Sequence, residues 1–242
     1  YELFSAYPDI SCFTTTRAGG CSAGAYSSFN CSPFCGDQPE HVLRNQEYVY
    51  RAFSPSLKEL IIPQQVHGTK IAFVDNAFLS LSQSEQKECL NGIDALITTE
   101  PGYCVCVSTA DCVPLLIYDS KHRAVAAVHA GWRGTVNGIL AKTLDEMNGR
   151  LGTVGEDVLV VIGPSISAES FEVGYEVYNT FKASGFDMSR ISIWKADKQK
   201  YHIDLWEANR EPLRWFGVPE NQIACSGICT YSHHEEFFSA RR

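Results

Sequence analysis

The chain lacks the signatures that most often announce an enzyme. There is no GxxxxGK[ST] loop and no GxGxxG after an apolar run, which removes the common nucleotide-binding frameworks. No HExxH is present, and the His-x-Glu plus Pro-Cys-x-x-Cys combination of zinc nucleobase deaminases is missing. No two of the ten cysteines stand as Cys-x-x-Cys, so neither a zinc knuckle nor a thioredoxin motif is present. Positive charge is scarce: 20 basic against 28 acidic residues give a net of −8, the wrong sign for wrapping a phosphate backbone. No apolar run approaches the roughly 20 residues that span a bilayer as a helix. Repeats, linkers and low-complexity tracts are also absent.

What remains is a chain of 242 residues, 45% hydrophobic and 12% aromatic, able to bury a substantial core as one domain, 1–242. Several cysteines lie within apolar runs, as in Tyr103-Cys-Val-Cys-Val107, where the thiol acts as a small buried hydrophobe. A chain of this length does not need disulfide staples, so free thiols and a reducing, cytoplasmic compartment are expected. The chain opens at Tyr1 rather than methionine, which leaves a removed leader open.

Apolar periodicity predicts strands at 10–15, 70–74, 95–98, 104–108, 113–118, 124–128, 158–162, 191–194 and 223–226. Helices are expected at 40–53, 135–148, 172–184 and 205–216, the last opened by a capping box of Asp204 and Glu207. The polar stretch 80–91 reads as a surface excursion. Strands between 95 and 128 follow one another too closely for helical crossovers, so a meander or packed sheets is expected there. The class is α/β, with mixed sheets in a sandwich-like core flanked by helices.

Three segments are polar where the pattern predicts burial. They are Gln64-Gln-Val-His-Gly68, Ser108-Thr-Ala-Asp-Cys-Val-Pro114 and Ala127-Val-His-Ala-Gly-Trp-Arg-Gly134. Each sets a metal-ligating residue (His67, Cys112 or His129) at a strand end, where sites converge in α/β folds. Two imidazoles and a thiolate suit zinc, and three protein ligands leave a position for water or substrate. The same residues also fit a core thiol beside hydrogen-bonded histidines, or a cysteine nucleophile with a histidine base. Arg133, flanked by Gly131 and Gly134 at an expected helix start, suits an oxyanion. A second Gly-rich loop, Thr15-Thr-Arg-Ala-Gly-Gly20 followed by Ser28-Phe-Asn30, carries Arg17. Asp111 beside Cys112 could orient a ligand, relay a proton or cap a turn.

These blocks, with Ile162-Gly-Pro164, Cys229-Thr230 and Phe237-Phe-Ser-Ala-Arg-Arg242, resemble the YfiH-like laccase-domain proteins from about Thr14 to the last residue. That family has been described both as multicopper polyphenol oxidases and as zinc-dependent purine nucleoside phosphorylases with adenosine deaminase side activity. The resemblance implies a single α/β domain with His67, Cys112 and His129 as metal ligands and zinc as the metal, copper being the alternative. It further implies catalytic roles for Cys112, Asp111 and Arg133. Arg17, Asn30, Asn45 and Arg133 would then contact substrate: phosphate and adenosine- or inosine-type nucleosides, methylthioadenosine included. Two departures stand out. Arg44 precedes Asn45 where the family usually has an arginine after it, and the ending Ser239-Ala-Arg-Arg242 replaces Ser-Tyr-Arg-Arg.

Three rival functions stay open on sequence. Multicopper oxidation needs many histidines, and only seven are present with no His-x-His pair. A metal-free cysteine hydrolase linked to peptidoglycan editing would use the same triad. A binding module without activity is the third. Self-association is left open, and neither nucleic acid nor membrane is an expected partner.

Overall fold

The computed structural model describes residues 1–53 and 57–242. Its elements begin with α1 (Pro39–Ala52), β1 (Glu59–Ile61), β2 (Ile71–Val74), α2 (Asn76–Leu79) and α3 (Gln83–Cys89). There follow β3 (Ala95–Thr98), β4 (Tyr103–Val105), β5 (Val113–Asp119), β6 (Ala124–Ala130), α4 (Trp132–Val136), α5 (Ile139–Leu151) and β7 (Val158–Ile162). The last part comprises β8 (Glu172–Val173), α6 (Tyr175–Ala183), α7 (Met188–Ile191), β9 (Ser192–Lys195), β10 (Lys200–Ile203), α8 (Leu205–Trp215) and β11 (Ile223–Cys225).

Six strands form a mixed sheet in the order β11-β7-β5-β6-β3-β2, parallel at its two outer pairs and antiparallel within. Strand alternation gives it two buried faces. Leu115, Ile117, Val158, Val160 and Ile162 share one core cluster with Ile139, Leu140 and Leu144 of α5 and Leu205 and Leu213 of α8. Tyr118, Leu159 and Val161 face the other way, against Phe4 and the partly buried Tyr7, Ile10 and Cys12. A three-stranded sheet, β8-β10-β9, and a parallel pair, β1 with β4, complete the architecture. This is the α/β class with mixed sheets flanked by helices that the pattern predicted.

Local departures have physical causes. Residues 10–15 form no strand; burial alternates along them, with Cys12 and Thr14 less exposed than their neighbours, but they pair with no ladder. They run as a strap over the second sheet face, so the alternation records packing rather than pairing. The expected helix 135–148 begins earlier and breaks in two, because Gly138 adopts φ +76° between α4 and α5. The start of the expected helix 172–184 pairs with β10 as β8 instead. The polar excursion at 80–91 contains α3, opened by a capping box of Ser82 and Glu85. At α8 only the Asp204 half of the box forms, 2.9 Å from the Glu207 N–H. The Glu207 carboxylate is drawn instead to Arg190 and Arg214. Strands β1, β8 and β10 are not among the expected ones: Glu59-Leu-Ile61, Glu172-Val173 and Lys200-Tyr-His-Ile203 mix charged with apolar residues and form no apolar run.

Candidate metal centre

Strand ends converge at one end of the large sheet. β2, β3 and β5 begin there and β6 and β7 finish there, since Ile71 lies beside Ala95, Ala95 beside Val128, Pro114 beside His129 and Leu115 beside Ile162. The segments that look polar in sequence are the residues just beyond these ends. His67 is in the turn before β2, Cys112 directly precedes β5, and His129 is near the end of β6. Their ligand atoms all lie within 4.8 Å of one another, and the two imidazole rings meet edge-on with centroids 4.8 Å apart.

A single carboxylate organises two of the three. Asp94, fully buried just before β3, accepts from His129 Nδ1 at 2.8 Å and from the backbone N–H groups of His67 at 2.9 Å, Gly68 at 2.7 Å and Val66 at 3.3 Å. Holding Nδ1 leaves His129 Nε2 to face an ion, the usual carboxylate–histidine–metal relay. The same contacts fix the turn in which His67 takes the left-handed φ of +60°. Burial alone would raise the Asp94 carboxyl, but the His129 ring and the Gly68 N–H outweigh it and hold it below the ordinary carboxylate value. Sequence reasoning missed Asp94. The available signal was an acid placed directly before an all-apolar strand, where a buried charge must find partners.

Cys112 is set by its neighbour. Asp111 has φ +84°, a conformation costing about 1–3 kcal/mol for a non-glycine. Its carboxylate accepts from Thr230 Oγ1 at 2.7 Å, Ser239 Oγ at 2.9 Å and the Arg241 N–H at 3.0 Å, and its carbonyl accepts from the Ile166 N–H at 2.9 Å. The blocks around Gly163, Cys229 and the C-terminal tail thus serve to brace the loop that presents Cys112. Gly131 closes the cradle: a Cβ there would stand 2.9 Å from His67 Cδ2 and 3.0 Å from Cys112 Sγ. The helix that follows has only five residues.

The electrostatics suit a cation. Burial lowers the His67 pKa, with the charges of His129 and Arg133 acting the same way, so the imidazole is in its neutral, ligating form. Burial pushes the Cys112 thiol up to about 12, with Asp111 and Asp94 adding to it. Among the described residues no cation lowers that thiol's pKa, whereas coordination to a metal would deprotonate it. Soft and borderline donors in a cradle of this size fit a zinc-like ion. Arg133 projects from α4 into solvent with its guanidinium 4.3 Å over the Trp132 ring, and makes no ion pair among the described residues.

The other expected substrate residues lie elsewhere. Arg17 is spent on backbone carbonyls, at 2.8 and 2.6 Å from Ser27 O and 2.9 Å from His234 O. The Asn30 amide donates to Ser32 O and Asp37 Oδ2. Asn45 is buried in α1, bonded to Ser22 Oγ, Ser28 O and Asn30 O. Arg17 and Asn30 do line a cavity of about 410 Å³ on the strap-covered face, whose wall does not include the triad. A second acidic cluster, Asp119 with His122 and Asp157, sits at the opposite end of β5. Asp119 there accepts from the Lys121 and His122 N–H groups, His122 Nδ1 and Thr153 Oγ1, which makes it a turn lock.

Residues 11–242 match the family model described as multi-copper polyphenol oxidoreductase laccase. The chain belongs to that family. A purine nucleoside phosphorylase of Bacteroides thetaiotaomicron is 57% identical over 242 residues, 100% of this chain and 90% of that one. A protein named adenosine deaminase RL5, from an unknown prokaryotic organism, is 39% identical over 96% of this chain and 88% of its own. Among solved structures, Bacillus licheniformis YfiH superposes with a TM-score of 0.85 at 30% identity, covering 94% of this chain and 85% of that one. YlmD from Geobacillus stearothermophilus gives 0.83 at 31%, with 94% and 84% covered. No helix among the described residues is long and apolar enough to cross a membrane.

Proposed function

We propose that this chain is a zinc-dependent purine nucleoside phosphorylase with adenosine deaminase side activity, one catalytic unit spanning 1–242. The observation that carries the reading is the convergence of His67, Cys112 and His129 within 4.8 Å, two of them organised by Asp94. The 57% identity to a purine nucleoside phosphorylase supports the substrate class. Zinc is favoured over copper because a multicopper set needs more than the seven histidines present, and both methionines, Met147 and Met188, pack in the hydrophobic core. The unbridged cysteines accord with a cytoplasmic location.

When bound, the metal supplies Lewis-acid polarisation and an open position for water or substrate. The chain does the rest. His67, Cys112 and His129 hold the ion, and Asp94 keeps His129 in the tautomer that presents Nε2. Asp111 fixes Cys112 by bracing its loop. Arg133 offers a bidentate fork to phosphate beside the triad, with Trp132 limiting its motion. In phosphorolysis a phosphate oxygen bonds to the ribose anomeric carbon, the bond to the purine nitrogen breaks, and that nitrogen leaves with a proton. Arg17, Asn30 and Asn45, the remaining residues assigned to substrate contact, also hold the surrounding loops through hydrogen bonds to backbone atoms.

The test is phosphate-dependent release of hypoxanthine from inosine. Arg133→Ala should raise KM for phosphate at least tenfold while bound zinc stays stoichiometric, and Arg133→Lys should recover only part, since the fork is lost. Wild-type phosphate dependence in the alanine variant rejects this role.

A further inference from the structure

Four thiols, Cys12, Cys31, Cys104 and Cys106, line the large cavity on the strap-covered face of the sheet, away from the metal triad. Two of them form a pair. Cys104 and Cys106 are separated by one residue on an extended segment, in β4 and just beyond it, where residues two apart point the same way. Their sulfurs are 3.7 Å apart. The segment is held by the parallel pairing of Leu60 with Cys104 and by the Cys106 N–H donating to Ile61 O at 2.9 Å. The backbone spacing is therefore fixed.

That spacing discriminates between two fates for the thiols. Residues two apart on an extended strand have Cα atoms about 6.6–6.8 Å apart, the upper limit of the range for a disulfide, about 4.4–6.8 Å. An S–S bond there would sit at the extreme of that range. Two sulfurs sharing one ion through bonds of about 2.3 Å lie between about 3.8 Å, for tetrahedral ligation, and about 4.6 Å, for opposed ligation. The observed 3.7 Å is just under that interval, so the sulfurs must move slightly apart, by side-chain rotation, to admit the ion.

We propose that Cys104 and Cys106 form a bis-thiolate site for a soft monovalent cation, copper(I), reached through the cavity. Thiolate pairs select soft ions. Among the described residues no His, Cys, Asp or Glu joins the pair as a third side-chain ligand within 4.8 Å, which disfavours zinc and its four-ligand preference. Uptake replaces two S–H bonds with two S–Cu bonds and releases two protons to solvent, with no change of oxidation state. The two thiols are unequal: the Cys106 S–H holds Cys104 below the ordinary thiol value, while that same bond and burial hold Cys106 well above it, so the second proton leaves only as the metal binds.

The test is anaerobic titration with copper(I) against bathocuproine disulfonate. Because the triad also contains a thiol, the titration is run on wild type, Cys112→Ser and Cys104→Ser/Cys106→Ser. The proposal expects Cys112→Ser to keep one equivalent in the presence of the chelator, and the double variant to take up one fewer than wild type. A double variant that binds as many equivalents as wild type overturns it. A second measurement needs no variant: copper(I) should protect Cys104 and Cys106 of the native protein from iodoacetamide, read by peptide mass. Equal alkylation of this pair with and without copper(I) refutes the site.

Discussion

Replacing Asp94 with asparagine separates an organised metal centre from three ligands that are merely close. The carboxylate accepts four hydrogen bonds, three from the backbone of the His67 turn and one from His129 Nδ1. Asparagine has nearly the same shape but only one accepting oxygen, so its NH2 must face N–H donors on one side. Losing charge-assisted bonds of this kind costs about 1.5–3 kcal/mol, which for a chain of this size lowers Tm by about 3–12 °C. The loss of orientation at His129 should weaken metal binding about 10–100-fold, or about 1.4–2.8 kcal/mol. Competition with a chromophoric zinc chelator gives the affinity, and thermal unfolding of the metal-free protein gives the stability. The pH dependence carries a further signature. The folded-state pKa of Asp94 is depressed, so its contribution to stability is present above the ordinary value of 3.8 and is lost as pH falls through the lower folded value. The gap between wild type and variant should therefore narrow in acid. Unchanged zinc affinity in Asp94→Asn would refute the argument, however large the change in Tm.

Two further outcomes follow from the same geometry. Gly131→Ala sets a methyl group against His67 and Cys112 where the backbone itself, at φ −66° and ψ 166°, accepts alanine. Crowding of about 1–3 kcal/mol should weaken zinc about 5–150-fold, and zinc binding equal to wild type by chelator competition contradicts the cradle. Zinc must displace the proton of Cys112, whose thiol is held up to about 12, so apparent affinity should rise about tenfold per pH unit above pH 6.5 and fall more steeply below it, where His67, with a pKa below its ordinary 6.5, also takes up a proton. An affinity independent of pH above 6.5 by chelator competition would contradict thiolate ligation.

The main sheet was legible because its strands are short apolar runs bounded by polar residues; β3 and β7 match their predicted limits. The ligands were legible for the complementary reason: His67, Cys112 and His129 interrupt those runs at strand ends. What periodicity could not show depends on partners distant in sequence. The 10–15 strap alternates in burial yet has no neighbour to pair with, and Gly138 looks like any glycine until its φ divides α4 from α5. Arg17 and Asn45 resemble ligand-binding residues in sequence, but their polar groups are committed to backbone atoms of loops that fold back on them. Asp94 and the bracing of Asp111 by Thr230 and Ser239 span separations of 26 to 128 residues, beyond the reach of local pattern.

The central claim is that one metal ion held by His67, Cys112 and His129 carries nucleoside chemistry. Its most direct test is paired elemental analysis and inosine phosphorolysis on freshly purified wild type and Cys112→Ser. The account predicts one equivalent of zinc and phosphate-dependent hypoxanthine release in wild type, with both abolished in the variant while its far-ultraviolet circular dichroism is unchanged. A Cys112→Ser protein that turns over inosine at the wild-type rate without bound zinc would contradict it.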